Sequence, residues 1–350
     1  MKYFFKLFFL LFCFSSFAQE LDSYPVYLVG DAGEDTVPGK ALLMLKDELI
    51  KNPYSSVIFL GDNVYPSGLQ TDNKESVLHL ESQLQILKEY KGQVYFIPGN
   101  HDWDSQKRTG LKTLKNEEVY VEQYLKTKTT VANKDLETFL PKSGLPGPET
   151  LLLRKGLRIV IIDTQWFLHY YEKNSTGSIA DTKELFYKRL DSILTVAKDN
   201  KEQVLIVAHH PIYTNGQHGK AKQPFRFLVN CTPFQIFGLL GINRLYSQDI
   251  AQARYRKMRK RMLDIFNKYD NITYASGHDH NLQCFKEGKT RYIVSGSGSK
   301  RSHLMKRKKF DSVFQDDKKT GFIKLDYSFD KYNSTTIYRV GEDELKLEGF

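Results

Sequence analysis

The sequence predicts an α/β fold of the α+β sandwich kind, with two packed mixed β-sheets flanked by helices. Three observations predict it. From Tyr24 onward, short apolar β-type runs alternate with segments of helical period, the mark of βαβ units and a largely parallel sheet. The later chain returns to short strands and ends in an alternating pair over Gly321–Val340, which reads as part of a second, mixed sheet. Asp, Asn and His residues recur where the runs stop, and sites in such sheets gather outside the carboxyl ends of the strands.

In chain order, Tyr24–Val29 is a buried-type strand that ends at Gly30-Asp31-Ala32-Gly33. Gly39–Lys51 has helical spacing through Leu42, Leu45 and Leu49. Ser55–Leu60 is a second strand closed by Gly61-Asp62, and Thr71–Tyr90 a second helix with Val77, Leu80, Leu84 and Leu87 on one face. Val94–Ile97 is a third strand, closed by Pro98-Gly99-Asn100-His101. Residues 104–150 are polar and mixed, with a helix expected around Glu117–Lys126 and a Gly/Pro-rich loop after it. Arg158–Ile162 is a fourth strand, and the following loop, with Trp166, Phe167, His169, Tyr170 and Tyr171, is expected to form one wall of a cleft. Thr182–Ala197 is a helix, and Val204–Val207 a strand that runs into Ala208-His209-His210-Pro211, with His210 lining the site. Ser247–Tyr269 is a helix with a dense basic face, 254–261, of the kind that is usually solvated. Ile272–Ala275 and Arg291–Val294 are the next strands, the first leading into Gly277-His278-Asp279-His280.

The composition, 41% hydrophobic and 26% charged over 350 residues, is that of a globular chain with enough length for one large core. Residues 1–18 stand apart. Lys2, Lys6, an apolar run from Tyr3 to Phe14 and Ser16-Phe17-Ala18 read as a secretory signal peptide, leaving 19–350 as a single domain with an insertion at about 220–260. The expected location is therefore secreted or periplasmic. The apolar run is shorter than the roughly 20 residues a bilayer span takes, so no transmembrane span is expected after cleavage. Cleavage lowers the formal charge from +10 to +8 and leaves Cys231 and Cys284, which can pair or stay separate thiols. A basic chain can steer anionic substrates. Nucleic acid is not the expected partner, because no aromatic platform interleaves the charges of 254–261.

Collected, the strand-end groups are Asp31, Asp62, Tyr65, Asn100, His209, His278 and His280. Seven donors exceed what one tetrahedral zinc needs and suit two metal ions sharing one carboxylate. Oxygen donors with some imidazole and no thiolate favour iron, manganese or zinc. A phenol with an ordinary pKa near 10 gives up its proton most easily to a trivalent ion, so Tyr65 points to Fe³⁺.

In those strings, Gly30-Asp31-Ala32-Gly33, Gly61-Asp62-Asn63-Val64-Tyr65, Gly99-Asn100-His101-Asp102, His209-His210-Pro211 and Gly277-His278-Asp279-His280, the chain resembles the calcineurin-like metallophosphoesterase superfamily, and within it the purple acid phosphatases of the small, tartrate-resistant type. Other members of the superfamily carry a histidine two residues after the first Asp; here that position is Gly33, and Tyr65 stands in compensation. The resemblance implies Fe³⁺ held by Asp31, Asp62, Tyr65 and His280, and Fe²⁺, Zn²⁺ or Mn²⁺ held by Asp62, Asn100, His209 and His278. It makes His101 and His218 the catalytic histidines that bind phosphate and protonate the leaving group. It implies an acid phosphatase, a hydrolase of phosphate monoesters by in-line attack of a metal-bound hydroxide, with small phosphate esters, nucleotides and phosphoproteins in its substrate range. A phosphodiesterase or nucleotide pyrophosphatase on the same metal pair is the alternative, and a binding protein with a structural metal site and the basic helix as its contact surface is a third reading.

Overall fold

The computed structural model describes residues 23–219, 252–328 and 331–350. The signal-peptide reading and most of the expected insertion, with Cys231, lie outside the described residues. Two sheets pack face to face between helices. The first has six strands in the order β13-β12-β11-β1-β2-β3, where β1 is Tyr24–Val29, β2 Ser56–Phe59, β3 Gln93–Phe96, β11 Gly321–Tyr327, β12 Tyr332–Arg339 and β13 Leu345–Glu348. The second has seven in the order β10-β8-β9-β7-β6-β5-β4, where β4 is Glu149–Arg154, β5 Leu157–Ile162, β6 Gln203–Ala208, β7 Ile272–Ser276, β8 Leu282–Glu287, β9 Thr290–Ser295 and β10 Phe314–Asp316. β1, β2 and β3 run parallel in one sheet, and β5, β6, β7 and β9 run parallel in the other.

The central strands read as unbroken apolar runs because both of their faces are covered. Alternate side chains serve two different cores. Val26, Leu28, Ile58 and Ile97 meet Ile159, Ile161, Leu205 and Val207 in the layer between the sheets. Tyr27, Val29, Val57 and Phe59 face outward, under α1 (Lys40–Lys51) and α2 (Lys74–Leu84). α1 buries Ala41, Leu42, Leu45 and Leu49, and each leucine contributes roughly 1.5–3 kcal/mol by leaving water. α2 starts at Lys74 and not at Thr71, because the Asn73 side chain accepts the N–H groups of Glu75 and Ser76. α3 is longer than expected, Gly110–Lys128, since Leu111, Leu114, Val121 and Leu125 extend its apolar face. α5, Ile179–Asp199, begins with a Ser178/Asp181 capping box.

Two expectations are corrected. The tail strands do not belong to the second sheet. β11 pairs antiparallel with β1, from Tyr24↔Tyr327 to Leu28↔Ile323, and so completes the first sheet. Ile323 and Leu325 of β11 supply apolar area to the inter-sheet core, which outweighs proximity along the chain. Trp166, Phe167 and His169 do not wall a cleft; α4 (Gln165–Leu168) carries Trp166 and Phe167 into the core beside Phe186 and Tyr187. Four strands are absent from the sequence reading: β4 and β8 close hairpins onto β5 and β9, and β10 and β13 add antiparallel edges at β8 and β12. The basic helix begins at Ala253 within the described residues: α6, Ala253–Phe266, buries Tyr255, Met258 and Met262 against the domain. Cys284 is buried on β8.

Candidate dimetal centre

The carboxyl ends of β1, β2 and β3 meet those of β6 and β7 at one edge of the sandwich, because the sheets touch there. Gly30 N–H donates across the gap to the Ser295 carbonyl at 2.8 Å. A Cβ on Gly61 would meet Gly99 N at 2.6 Å, and its φ of +85° also favours glycine. Asp31, Asp62 and His278 hold φ values of +56°, +55° and +71°, left-handed conformations that side chains adopt at a cost of about 1–3 kcal/mol each. Such strain persists where the surrounding structure fixes it, and here it turns three side chains inward.

All seven sequence-predicted metal ligands come together. Tyr65 Oη lies 3.0 Å from Asp31 Oδ1, 3.1 Å from Asp62 Oδ2 and 3.1 Å from His280 Nε2. Asn100 Oδ1 lies 3.0 Å from His209 Nε2 and 2.8 Å from His278 Nδ1, and His209 Nε2 lies 3.4 Å from Asp62 Oδ2. Asp62, His209 and His278 are all buried and offer ligand atoms within 4.8 Å of one another. Asp62 Oδ2 therefore belongs to both groups of four.

The donor set fits cations. The single Tyr65 phenolic proton cannot serve both the Asp31 and the Asp62 oxygen, so lone pairs converge without enough hydrogens to separate them. The separations near 3 Å are the edge lengths of a coordination shell with bonds of about 2.1 Å. His209 Nδ1 lies 2.8 Å from the Leu60 carbonyl, which assigns the N–H to Nδ1 and turns Nε2 to the cluster. Electrostatics agree. Burial, then Asp31 and Asp62, push the Tyr65 phenol well up, so only a strong cation could ionise it. Burial opposes charge on His209, but Asp62 draws its pKa up to about 9, and a metal would displace that proton. Burial would likewise raise Asp62, yet His209 and His101 outweigh it and hold the carboxyl below its usual range.

The two predicted catalytic histidines flank the cluster. His101 Nδ1 sits 2.7 Å from the Pro66 carbonyl, leaving Nε2 3.9 Å from Asp62 Oδ2 on the cluster side. The His218 ring packs at 4.2 Å between centroids on His278, and its backbone N–H donates to Asp279 Oδ1 at 3.2 Å. His210 lines the site as expected: burial holds it neutral, its Nδ1 faces Thr164 Oγ1 at 2.9 Å, and its ring stands 4.4 Å from that of His278.

Sequence reasoning missed the groups that hold these side chains. Asp102 accepts the backbone N–H groups of Asp62, Asn63, Val64 and Gly99 at 2.7–3.1 Å and so ties the second strand-end loop to the third. Asn63 donates from its side chain to Glu117 at 2.9 Å, whose carboxyl is pushed well up by burial and by Asp102. Asp279 accepts from Thr214 at 2.5 Å as well as from His218. Asp102 and Asp279 lie inside the motifs already singled out; their position next to ligands was the only available signal.

Residues 24–282 match the family model of the calcineurin-like phosphoesterases. A curated relative, purple acid phosphatase 7 of Arabidopsis thaliana, is 25% identical over 259 residues, covering 71% of this chain; the chain spans only 62% of that relative's length. Among solved structures, the fold is similar to GAP50, the anchor in the inner membrane complex of Plasmodium, at a TM-score of 0.58 and 18% identity, covering 93% of this chain and 89% of that one. It is also similar to a dimetal phosphatase from Danio rerio, at a TM-score of 0.53 and 12% identity, covering 93% and 98%.

Proposed function

We propose that this chain, which belongs to the calcineurin-like phosphoesterase family, is an exported acid phosphatase of the purple acid phosphatase type acting on phosphate monoesters. The observation that carries the reading is the convergence of two donor groups on a shared Asp62 oxygen. Asp31, Asp62, Tyr65 and His280 would hold Fe³⁺, and Asp62, Asn100, His209 and His278 a divalent ion. When bound, the pair supplies Lewis-acid polarisation of the phosphoryl group and positive charge against its developing negative charge.

The chain's own residues do the rest. Asp62 orients His101 by accepting its backbone N–H at 2.8 Å. The Pro66 carbonyl holds His101 Nδ1, so Nε2 is the nitrogen free to meet a phosphoryl or leaving-group oxygen. Asp279 fixes the backbone at His218, whose ring is braced on His278, and either histidine can donate a proton to the leaving oxygen. His210 packs its ring against those of His209 and His278.

The test is turnover of phenyl phosphate against bis-phenyl phosphate at matched concentration, with Asp62→Asn beside the wild type. The reading predicts faster monoester turnover, lost in Asp62→Asn while the variant stays folded by circular dichroism. Faster diester turnover would move the chain to the diesterase class, and an active Asp62→Asn would refute the site. N-terminal sequencing of the exported protein should begin at Gln19, which tests the signal-peptide and localisation reading.

A further inference from the structure

The segment from Lys300 to Phe310 carries six cations, Lys300, Arg301, Lys306, Arg307, Lys308 and Lys309, and no acidic residue. Both of its ends are fastened to the loops that form the candidate centre. At one end Ser302 N–H donates to the His280 carbonyl at 2.7 Å, and Lys300 Nζ stands 3.6 Å from the centroid of the Tyr65 ring. At the other, Met305 N–H donates to the Asn215 carbonyl at 2.8 Å, and the N–H groups of Lys309 and Phe310 donate to Asn215 Oδ1 at 2.9 Å. Lys309 Nζ lies 3.5 Å from the Gly219 carbonyl, just past His218. The segment thus rims the centre from the Tyr65–His280 side to the His218 side.

Only part of this charge is balanced. Glu34 pairs with Lys300 at 2.5 Å, and Arg301 is spent on the Lys318 carbonyl. The nearby Asp317 sits with His303 at 3.4 Å and accepts Leu304 N–H. Lys306, Arg307 and Lys308 are exposed, and among the described residues they form no ion pair. On the basic face of α6, Arg254 covers the Tyr170 ring at 3.8 Å, Arg259 donates to the Ile212 carbonyl at 2.5 Å and Arg261 is paired with Glu184, while Arg256, Lys257 and Lys260 are exposed and form no ion pair among the described residues. Residues 306–308 differ in their place: they lie between Met305 and Lys309, both tied to Asn215 on the loop that leads to His218, and three adjacent uncompensated cations there repel one another until an anion arrives.

We propose that residues 306–308 form a subsite for a second anionic group, so that the favoured substrates carry a further phosphate beyond the one removed. The inference rests on the phosphatase reading above and narrows it to pyrophosphate-linked substrates.

The test compares kcat/KM for inorganic pyrophosphate and for phenyl phosphate in the metal-loaded full chain, with K306Q/R307Q/K308Q beside K188Q/R189Q/K198Q, which removes the same charge from the remote exposed face of α5. The loop variant should lose about tenfold in the ratio of the two values, as expected for a few exposed charge contacts, and the loss should shrink near 0.5 M salt. The α5 variant should keep the wild-type ratio. An unchanged ratio in the loop variant, or an equal loss in the α5 variant, would overturn the subsite. A wild type that hydrolyses neither substrate would refute the phosphatase reading instead. Calorimetry then decides the subsite by itself: the wild type should bind pyrophosphate more tightly than phosphate, and the loop variant should not.

Discussion

Asp102→Ala tests how the centre is built. The Asp102 carboxylate is buried and accepts four backbone N–H groups, from Asp62, Asn63, Val64 and Gly99. An alanine leaves those donors without a partner in a region with no room for bulk water. At about 1 kcal/mol for each stranded donor, the low end of the usual range, the loss is about 4 kcal/mol. That is a large part of the 5–15 kcal/mol that a domain commonly holds. Relief of the charge on Glu117, whose carboxyl Asp102 helps push up, offsets some of it. Asp102→Asn should fare little better, because its amide would turn a donor toward two N–H groups. Urea unfolding reads the stability, and metal analysis on the same samples reads the centre. Both variants should unfold at clearly lower urea and retain less metal. An Asp102→Ala midpoint equal to wild type would refute the claim that this carboxylate holds the two loops together.

Two further outcomes follow from the geometry. His169 is buried against Trp103, and among the described residues neither ring nitrogen has a partner. Burial, then Lys173, lowers its pKa to about 4, so the unfolded chain binds the extra proton between about pH 6.5 and 4. Stability is fully present above pH 6.5 and falls with acid by up to about 3 kcal/mol, and His169→Leu should flatten that slope in urea unfolding measured across the window. His101→Asn and His218→Asn should each lower kcat by about a hundredfold on an alkyl phosphate and by less on p-nitrophenyl phosphate, whose leaving group needs no proton. Equal losses on both substrates would mean that neither histidine acts as the acid.

The centre was legible because each ligand follows an apolar run, and the run fixes a strand whose carboxyl end opens on the sheet edge. Asp31, Asp62 and His278 could be placed in this way, although their left-handed backbones could not. Asp102 was not legible as a clamp, since its role depends on four N–H groups from two separate loops. The tail strands were placed in the wrong sheet because alternation reports a strand but not its neighbour; the β1–β11 pairing is set by burial of Ile323 and Leu325 across the chain's full length. The loop from Trp166 was misread for a similar reason, as aromatic residues after a strand serve a cleft or a core equally well, and only packing against Phe186 decides. The segment 300–310 escaped notice because its importance lies in what its ends are tied to.

The most direct measurement is metal content together with the visible spectrum of the purified protein, beside Tyr65→Phe. A dimetal centre with Tyr65 on Fe³⁺ predicts about two metal ions per chain, one of them iron, and a tyrosinate-to-iron band that Tyr65→Phe removes. Two zinc or manganese ions without the band would keep the dimetal centre and contradict the iron assignment. A folded, active wild type that retains no metal would contradict the central claim itself.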